Sequence, residues 1–143
     1  APEKVKPQNL FPEDSYDLLG KHVLIVEDNP MNQMVMKMMM KKWLNTSLSF
    51  ANNGTESLEA LKNNPVDLIL MDLQMPVMDG YEATEAIRNG HAGNSNILIP
   101  IIVLTADIME STRDRIMKLG ADDYMTKPVD QKLLYQKITA LLS

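Results

Sequence analysis

The stretch "LMDLQMPVMDG", residues 70–80, ends an apolar run on a carboxylate and continues through Met75, Pro76 and Met78 into an Asp79-Gly80 turn. With the residues before it, "VDLILMD" (66–72) has strand length and is apolar throughout, so it reads as a central strand covered on both faces. Such a strand delivers Asp72 at its very end. An unpaired charge in apolar surroundings is among the costliest things a fold can contain, so Asp72 requires a partner or a task.

Working outward, apolar runs of strand length alternate with segments of helical period. The strands are "HVLIVE" (22–27), "SLSFAN" (47–52), 66–72, "IPIIVLT" (99–105) and "ADDYMT" (121–126), and the first, third and fourth are apolar enough to be central. The helices fall at 30–44, 54–64, 81–90, 108–120 and 130–142. Pro30 suits a first turn, Met31, Met34, Val35 and Met38 recur at helical spacing, and Gly120 is a stop. Five βα units of this kind predict a doubly wound α/β fold, a parallel sheet with helices on both faces.

In such a sheet ligands bind beyond the carboxyl ends of the strands where the strand order reverses. For the order 2-1-3-4-5 that place lies between strands one and three. Strand one runs into Glu27 and Asp28, and strand three ends at Asp72. Strand four supplies Thr105 and strand five is followed by Lys127, so three carboxylates, a hydroxyl and an ammonium converge on one rim. Three carboxylates in one cleft repel, and a hard divalent cation such as Mg²⁺ resolves the repulsion. With Mg²⁺ held there a carboxylate can attack phosphorus, and Asp72, at the centre, is the nucleophile of choice.

Composition narrows the classes. The chain has 143 residues, 45% of them hydrophobic, enough for one domain with its own core. Fourteen basic against nineteen acidic side chains give a net charge of -5, the wrong sign for a domain that covers nucleic-acid phosphates. There is no cysteine, hence no disulfide and no thiolate metal site, and a reducing cytosol is compatible. No apolar run reaches the roughly 20 residues of a membrane span, so contact with a membrane is not expected. The opening "APEKVKPQNLFPEDS" reads as linker, giving a division into linker 1–20 and domain 21–143.

The motifs "VLIVEDNPMNQ", "LILMDLQMPVMDGYEA", "VLTA" and "YMTKP", in this order, resemble the receiver domain of two-component response regulators, most of all the receivers of hybrid sensor histidine kinases. The resemblance covers about residues 21–143 and implies a flavodoxin-like fold of order 2-1-3-4-5. It further implies that Glu27, Asp28, Asp72 and the backbone carbonyl of Gln74 hold Mg²⁺, and that Asp72 takes a phosphoryl group from a histidine. Thr105 and Lys127 contact that group, and Tyr124 is the aromatic that moves with Thr105. The partners implied are a kinase dimerisation domain and a histidine phosphotransfer domain, in the cytoplasm. Glu27-Asp28 stands where many receivers carry Asp-Asp, and "NGHAGNSN" (89–96) is longer than the usual connection.

Other readings of the same residues stand beside this one. Asp28 or Asn29 before Pro30 suits a helix cap, Asp79-Gly80 a turn and cap, Thr105 a cap for the fourth helix, and Lys127-Pro128 an ordinary turn. Tyr124 suits simple packing. A hydrolase of the haloacid dehalogenase type also uses an aspartyl nucleophile and Mg²⁺, but Gln74 occupies the place of its second Asp. A nucleotide module would want a Gly-rich phosphate loop where "EDNPMN" stands. His22 and His91 lack the setting of a phosphodonor, and the twelve methionines are expected mostly to fill the core.

Overall fold

The computed structural model describes residues 16–107 and 109–143. The elements alternate as β1 (His22–Val26), α1 (Pro30–Met40), β2 (Ser47–Ala51), α2 (Gly54–Asn63), β3 (Leu68–Asp72), α3 (Gly80–Arg88), β4 (Ile101–Thr105), α4 (Glu110–Lys118), β5 (Asp123–Thr126) and α5 (Gln131–Leu142). The five strands form one sheet of order β2-β1-β3-β4-β5 with every neighbouring pair parallel. That is the expected order. β1, β3 and β4 lie inside the sheet, where their apolar residues on both faces are needed.

Two apolar layers sandwich the sheet. Leu24, Val26, Ile69, Met71, Ile101 and Val103 face one core, which Leu61 of α2, Ala83 and Ile87 of α3 and Ile116 of α4 complete. Val23, Ile25, Leu68, Leu70, Ile102 and Leu104 face the other, closed by Met36 and Met40 of α1 and Leu134 and Ile138 of α5. Strict alternation along each strand sorts residues between the layers. Each fully buried aliphatic contributes on the order of 2 kcal/mol.

Of residues 16–20, assigned to the linker by composition, the first three pack onto the body while Leu19 and Gly20 are exposed. Tyr16 and Leu18 are buried, and Tyr16 stacks on Tyr135 (4.6 Å between centroids) and meets Trp43 edge-on (5.5 Å). The Tyr135 hydroxyl donates to the Asp17 carbonyl at 2.9 Å. Polar, proline-rich flanks hid these contacts. The remainder of the expected linker, residues 1–15, and the expected start of the fourth helix at 108 lie outside the described residues.

The first helix is shorter than its hydrophobic pattern, ending at Met40, so Trp43 packs from a loop. Its methionines divide. Met36 and Met40 face the sheet, whereas Met31, Met34, Val35 and Met38 are exposed, contrary to the expectation that methionines at helical spacing mostly fill the core. Periodicity identifies a common face but not the side it looks toward.

At the opposite end of the sheet from Asp72, Arg88 closes the structure. Its guanidinium donates to the carbonyls of Gly120, Ile97 and Ile99, each at 2.8 Å, and pairs with Asp122 at 2.9 Å. The segment entering β4, which follows the 89–96 connection and its short 3-10 turn at Asn94–Asn96, is thereby tied to the segment leading into β5. Among the described residues no helix is long and apolar enough to cross a membrane.

Candidate functional site

Parallel pairing of β1 with β3, in which Val26 lies opposite Met71, carries Glu27, Asp28 and Asp72 to the same edge of the sheet. One oxygen of each of these carboxylates falls within 4.8 Å of the others. Glu27 and Asp72 are buried, and Asp28 is partly so. The alternative role of a helix cap is filled by Asn29, whose side chain accepts from the amides of Met31 (2.8 Å) and Asn32 (3.3 Å). Asp28 is therefore left facing the cleft.

Glu27 is held by its own strand-to-helix turn. Its Oε2 accepts from the Asn29 amide at 3.1 Å, and Gln33 Nε2 donates to its backbone carbonyl at 2.6 Å. Gln33 is a positioning residue the sequence reading passed over. The spacing from Glu27 to the first helical turns is the signal that would have found it.

β4 and β5 supply the other wall. Thr105 pairs with Thr126, and the Lys127 amide donates to the Thr105 carbonyl at 2.8 Å, which sets Lys127 immediately beyond the sheet edge. Lys127 Nζ then reaches Asp72 Oδ1 at 2.6 Å and Glu27 Oε1 at 3.3 Å. The Lys127-Pro128 bond is cis. Thr105 is buried and its hydroxyl accepts from the Asp107 amide at 3.0 Å; it does not cap α4, whose N-cap residue is Met109, with no side-chain cap.

Burial pushes the Asp72 carboxyl above its usual range, and the nearby Glu27 and Asp28 charges push the same way against the hydrogen bond and charge of Lys127. For Lys127, burial disfavours the charge, but the hydrogen bond to Asp72 and the charges of Asp72 and Glu27 outweigh it and hold the ammonium above its usual range. One ammonium thus serves several carboxylates, and the cleft carries uncompensated negative charge.

The remaining segments fit around these groups. Gly80 approaches the β3 end so closely that a Cβ there would meet Leu73 Cα at 2.8 Å and clash with the Asp72 carbonyl. Its amide donates to Leu73 O at 2.9 Å, folding the 73–79 loop back over the strand end. Asp79 forms a reciprocal capping box with Glu82 and lies outside the site, as its turn chemistry suggested. Gln74 stands at the rim of a cleft of about 200 Å³ that Asp28, Asn32, Asp72 and Thr105 also line. Tyr124 lies away from that cleft, but it shares with Thr105, Arg113 and Ile116 a smaller cavity of about 70 Å³. His22 bonds Ser49 at 2.8 Å and His91 is exposed.

A doubly wound sheet with an acidic cleft over its switch point, a buried aspartate at the centre and a lysine paired to it defines the class of aspartate-centred receiver modules. The family model described as "Response regulator receiver domain" matches residues 23–139, and the chain belongs to that family. It is a receiver domain of two-component signal transduction. Over 127 residues, 89% of the chain, it is 35% identical to the sensor histidine kinase GacS of Pseudomonas protegens, and over 126 residues, 85% of the chain, 40% identical to hybrid signal transduction histidine kinase I of Dictyostelium discoideum. It spans 14% and 7% of the length of those proteins.

Among solved structures, the receiver domain of sensor histidine kinase PA1611 from Pseudomonas aeruginosa, which holds a magnesium ion in its active site cleft, superposes with a TM-score of 0.76 at 33% identity. The match covers 86% of this chain and 98% of that one. The complex of the Saccharomyces cerevisiae histidine phosphotransfer protein Ypd1 with the Ssk1 receiver domain matches with a TM-score of 0.75 at 36% identity, covering 85% and 88%.

Proposed function

We propose that Asp72 is the phosphoacceptor of this receiver and that the cleft takes Mg²⁺ through Glu27, Asp28, Asp72 and the backbone carbonyl of Gln74. The observation that carries the reading is the convergence of three carboxylates within 4.8 Å with a single ammonium beside them. An all-oxygen donor set with net negative charge fits a hard divalent cation. When bound, Mg²⁺ neutralises charge on phosphoryl oxygens.

In transfer, an Asp72 carboxylate oxygen forms a bond to phosphorus as the bond from phosphorus to a histidine nitrogen breaks, and the imidazole leaves with the nitrogen lone pair. Lys127, already 2.6 Å from Asp72, shifts its hydrogen bond to a phosphoryl oxygen. The Thr105 hydroxyl donates to another, and its displacement opens the shared cavity to Tyr124, altering the face formed by α4, β5 and α5.

The donor reaches the cleft over α1. A groove of about 450 Å³ between α1 and the Pro128-Val129 segment shares Glu27, Asn32 and Lys127 with the acidic cleft, so a helix lying along Val35 and Met39 would carry a histidine to Asp72. The partner that fits is a helical one, a histidine phosphotransfer domain or a kinase dimerisation domain. Such phosphotransfer takes place in the cytoplasm. Intact mass after incubation with Mg²⁺ and phosphoramidate tests the acceptor: one phosphoryl group is gained by the native chain and none by Asp72→Asn. A phosphorylated Asp72→Asn protein would remove the assignment.

A further inference from the structure

Six of the twelve methionines stand on α1, and the helix treats them unequally. At about 100° per residue, positions 31, 34, 35 and 38 form one stripe. There Met31, Met34 and Met38 are 74%, 54% and 53% exposed, while Met36 and Met40 are buried against the sheet. Val35, within this stripe, lines the groove leading to the cleft, and the three exposed sulfurs stand beside the groove on the same helix. Leucine would give the same apolar contact; what a thioether adds is adaptable shape and two-electron redox chemistry. Cysteine thiolates, the usual first sulfur targets of peroxides, do not occur in this chain.

We propose that Met31, Met34 and Met38 are a methionine-oxidation site through which a peroxide-class oxidant blocks docking of the phosphotransfer partner while sparing the chemistry of Asp72. The thioether sulfur lone pair attacks one peroxide oxygen, the S–O bond forms as the O–O bond breaks, and proton transfer to the departing oxygen gives water. Sulfur loses two electrons and the peroxide gains them. Each sulfoxide places a strong dipole and a hydrogen-bond acceptor on the α1 surface beside the groove, within the footprint of a helical partner lying along Val35, and that acceptor would be desolvated on docking. Met109 and Met117, exposed at the two ends of α4 rather than on α1, are internal controls that oxidise without consequence for docking. The inference rests on the docking face proposed above.

The test treats the full chain with hydrogen peroxide and maps the gain of about 16 Da per sulfur by peptide mass. Met31, Met34 and Met38 should oxidise ahead of Met36, Met40, Met71 and Met125. Phosphoryl transfer is then followed from phosphorylated Ypd1 as the probe and, separately, from phosphoramidate with Mg²⁺. Oxidation should slow transfer from Ypd1 by about tenfold and change the phosphoramidate rate by less than about twofold. At peroxide doses where peptide mass shows Met39, which lines the groove, still unoxidised, a protein carrying Met31→Leu, Met34→Leu and Met38→Leu should lose none of its own untreated Ypd1 rate, and methionine sulfoxide reductases should restore the native chain. Equal Ypd1 rates before and after oxidation of the three sulfurs would overturn the inference, as would an equal peroxide loss in the triple-leucine protein. The docking face itself fails separately if untreated Val35→Glu accepts from Ypd1 at the native rate, or if the untreated native chain does not exchange with it.

Discussion

The ammonium of Lys127 stands 2.6 Å from Asp72 Oδ1, joining the ends of β5 and β3 across the end of β4. Because Glu27 lies 3.3 Å from the same nitrogen, this one cation offsets much of the repulsion in the cleft. Lys127→Met should lower stability in the absence of divalent cations by about 2 kcal/mol, the worth of a charged hydrogen bond. Mg²⁺ should still bind, and phosphorylation by phosphoramidate should slow. Thermal melts with chelator or Mg²⁺, with mass as the phosphorylation readout, check all three outcomes.

Asp72 shows the opposite sign. Its folded-state carboxyl titrates above the unfolded value, so between those two values the folded state binds more protons and stability falls as pH rises. Above the folded value the ionised Asp72 therefore costs stability. In chelator at neutral pH, Asp72→Asn should melt higher than the native chain, and it should lose part of the native chain's gain on mild acidification. The reverse ordering would show that the Lys127 pair outweighs burial.

Asp28 is the least buried of the three acids and the one without a hydrogen bond to Lys127. Asp28→Ala should weaken Mg²⁺ binding by an order of magnitude or more while raising the metal-free melting temperature, since it removes a repelling charge. Titration of Mg²⁺ by calorimetry measures the first, and melts in chelator the second.

Gly80 tests the backbone rather than the side chains of the site. A Cβ at this position would collide with main-chain atoms of Asp72 and Leu73, which cannot rotate away. Gly80→Ala should destabilise by about 1–3 kcal/mol and slow phosphorylation even where the protein remains folded. Denaturant midpoints and phosphoramidate kinetics separate the two effects.

Arg88 should affect stability alone. Its replacement by Ala leaves three carbonyls without this donor, and Asp122 with only the Ile101 amide, at the end of the sheet remote from Asp72, a loss of about 3 kcal/mol. The buried Trp43, the chain's one tryptophan, reports unfolding. Phosphoramidate kinetics below the transition should match the native chain.

Most of the site was legible because strand ends are legible. Apolar runs that stop at Glu27, Asp72 and Thr105 placed three groups on one edge once a parallel sheet was inferred, and Lys127 followed the last strand. The distances were not legible, nor were the supports: Gln33 on the Glu27 carbonyl, the choice of Asn29 over Asp28 as the helix cap, and Gly80 against the β3 end. These contacts depend on backbone direction at turns, which side-chain patterns do not encode.

By itself the sequence determined the alternation of strands and helices, the central position of β1, β3 and β4, and the residues brought to the carboxyl edge, because hydrophobic periodicity and strand length are local properties. Tertiary structure decided which side of α1 faces water. It also decided that Tyr16 packs on Trp43 and Tyr135, and that Arg88 ties the segment entering β4 to the segment entering β5. Each joins segments far apart in the chain. Such contacts form only when another element comes within reach, and chain spacing alone does not determine that reach.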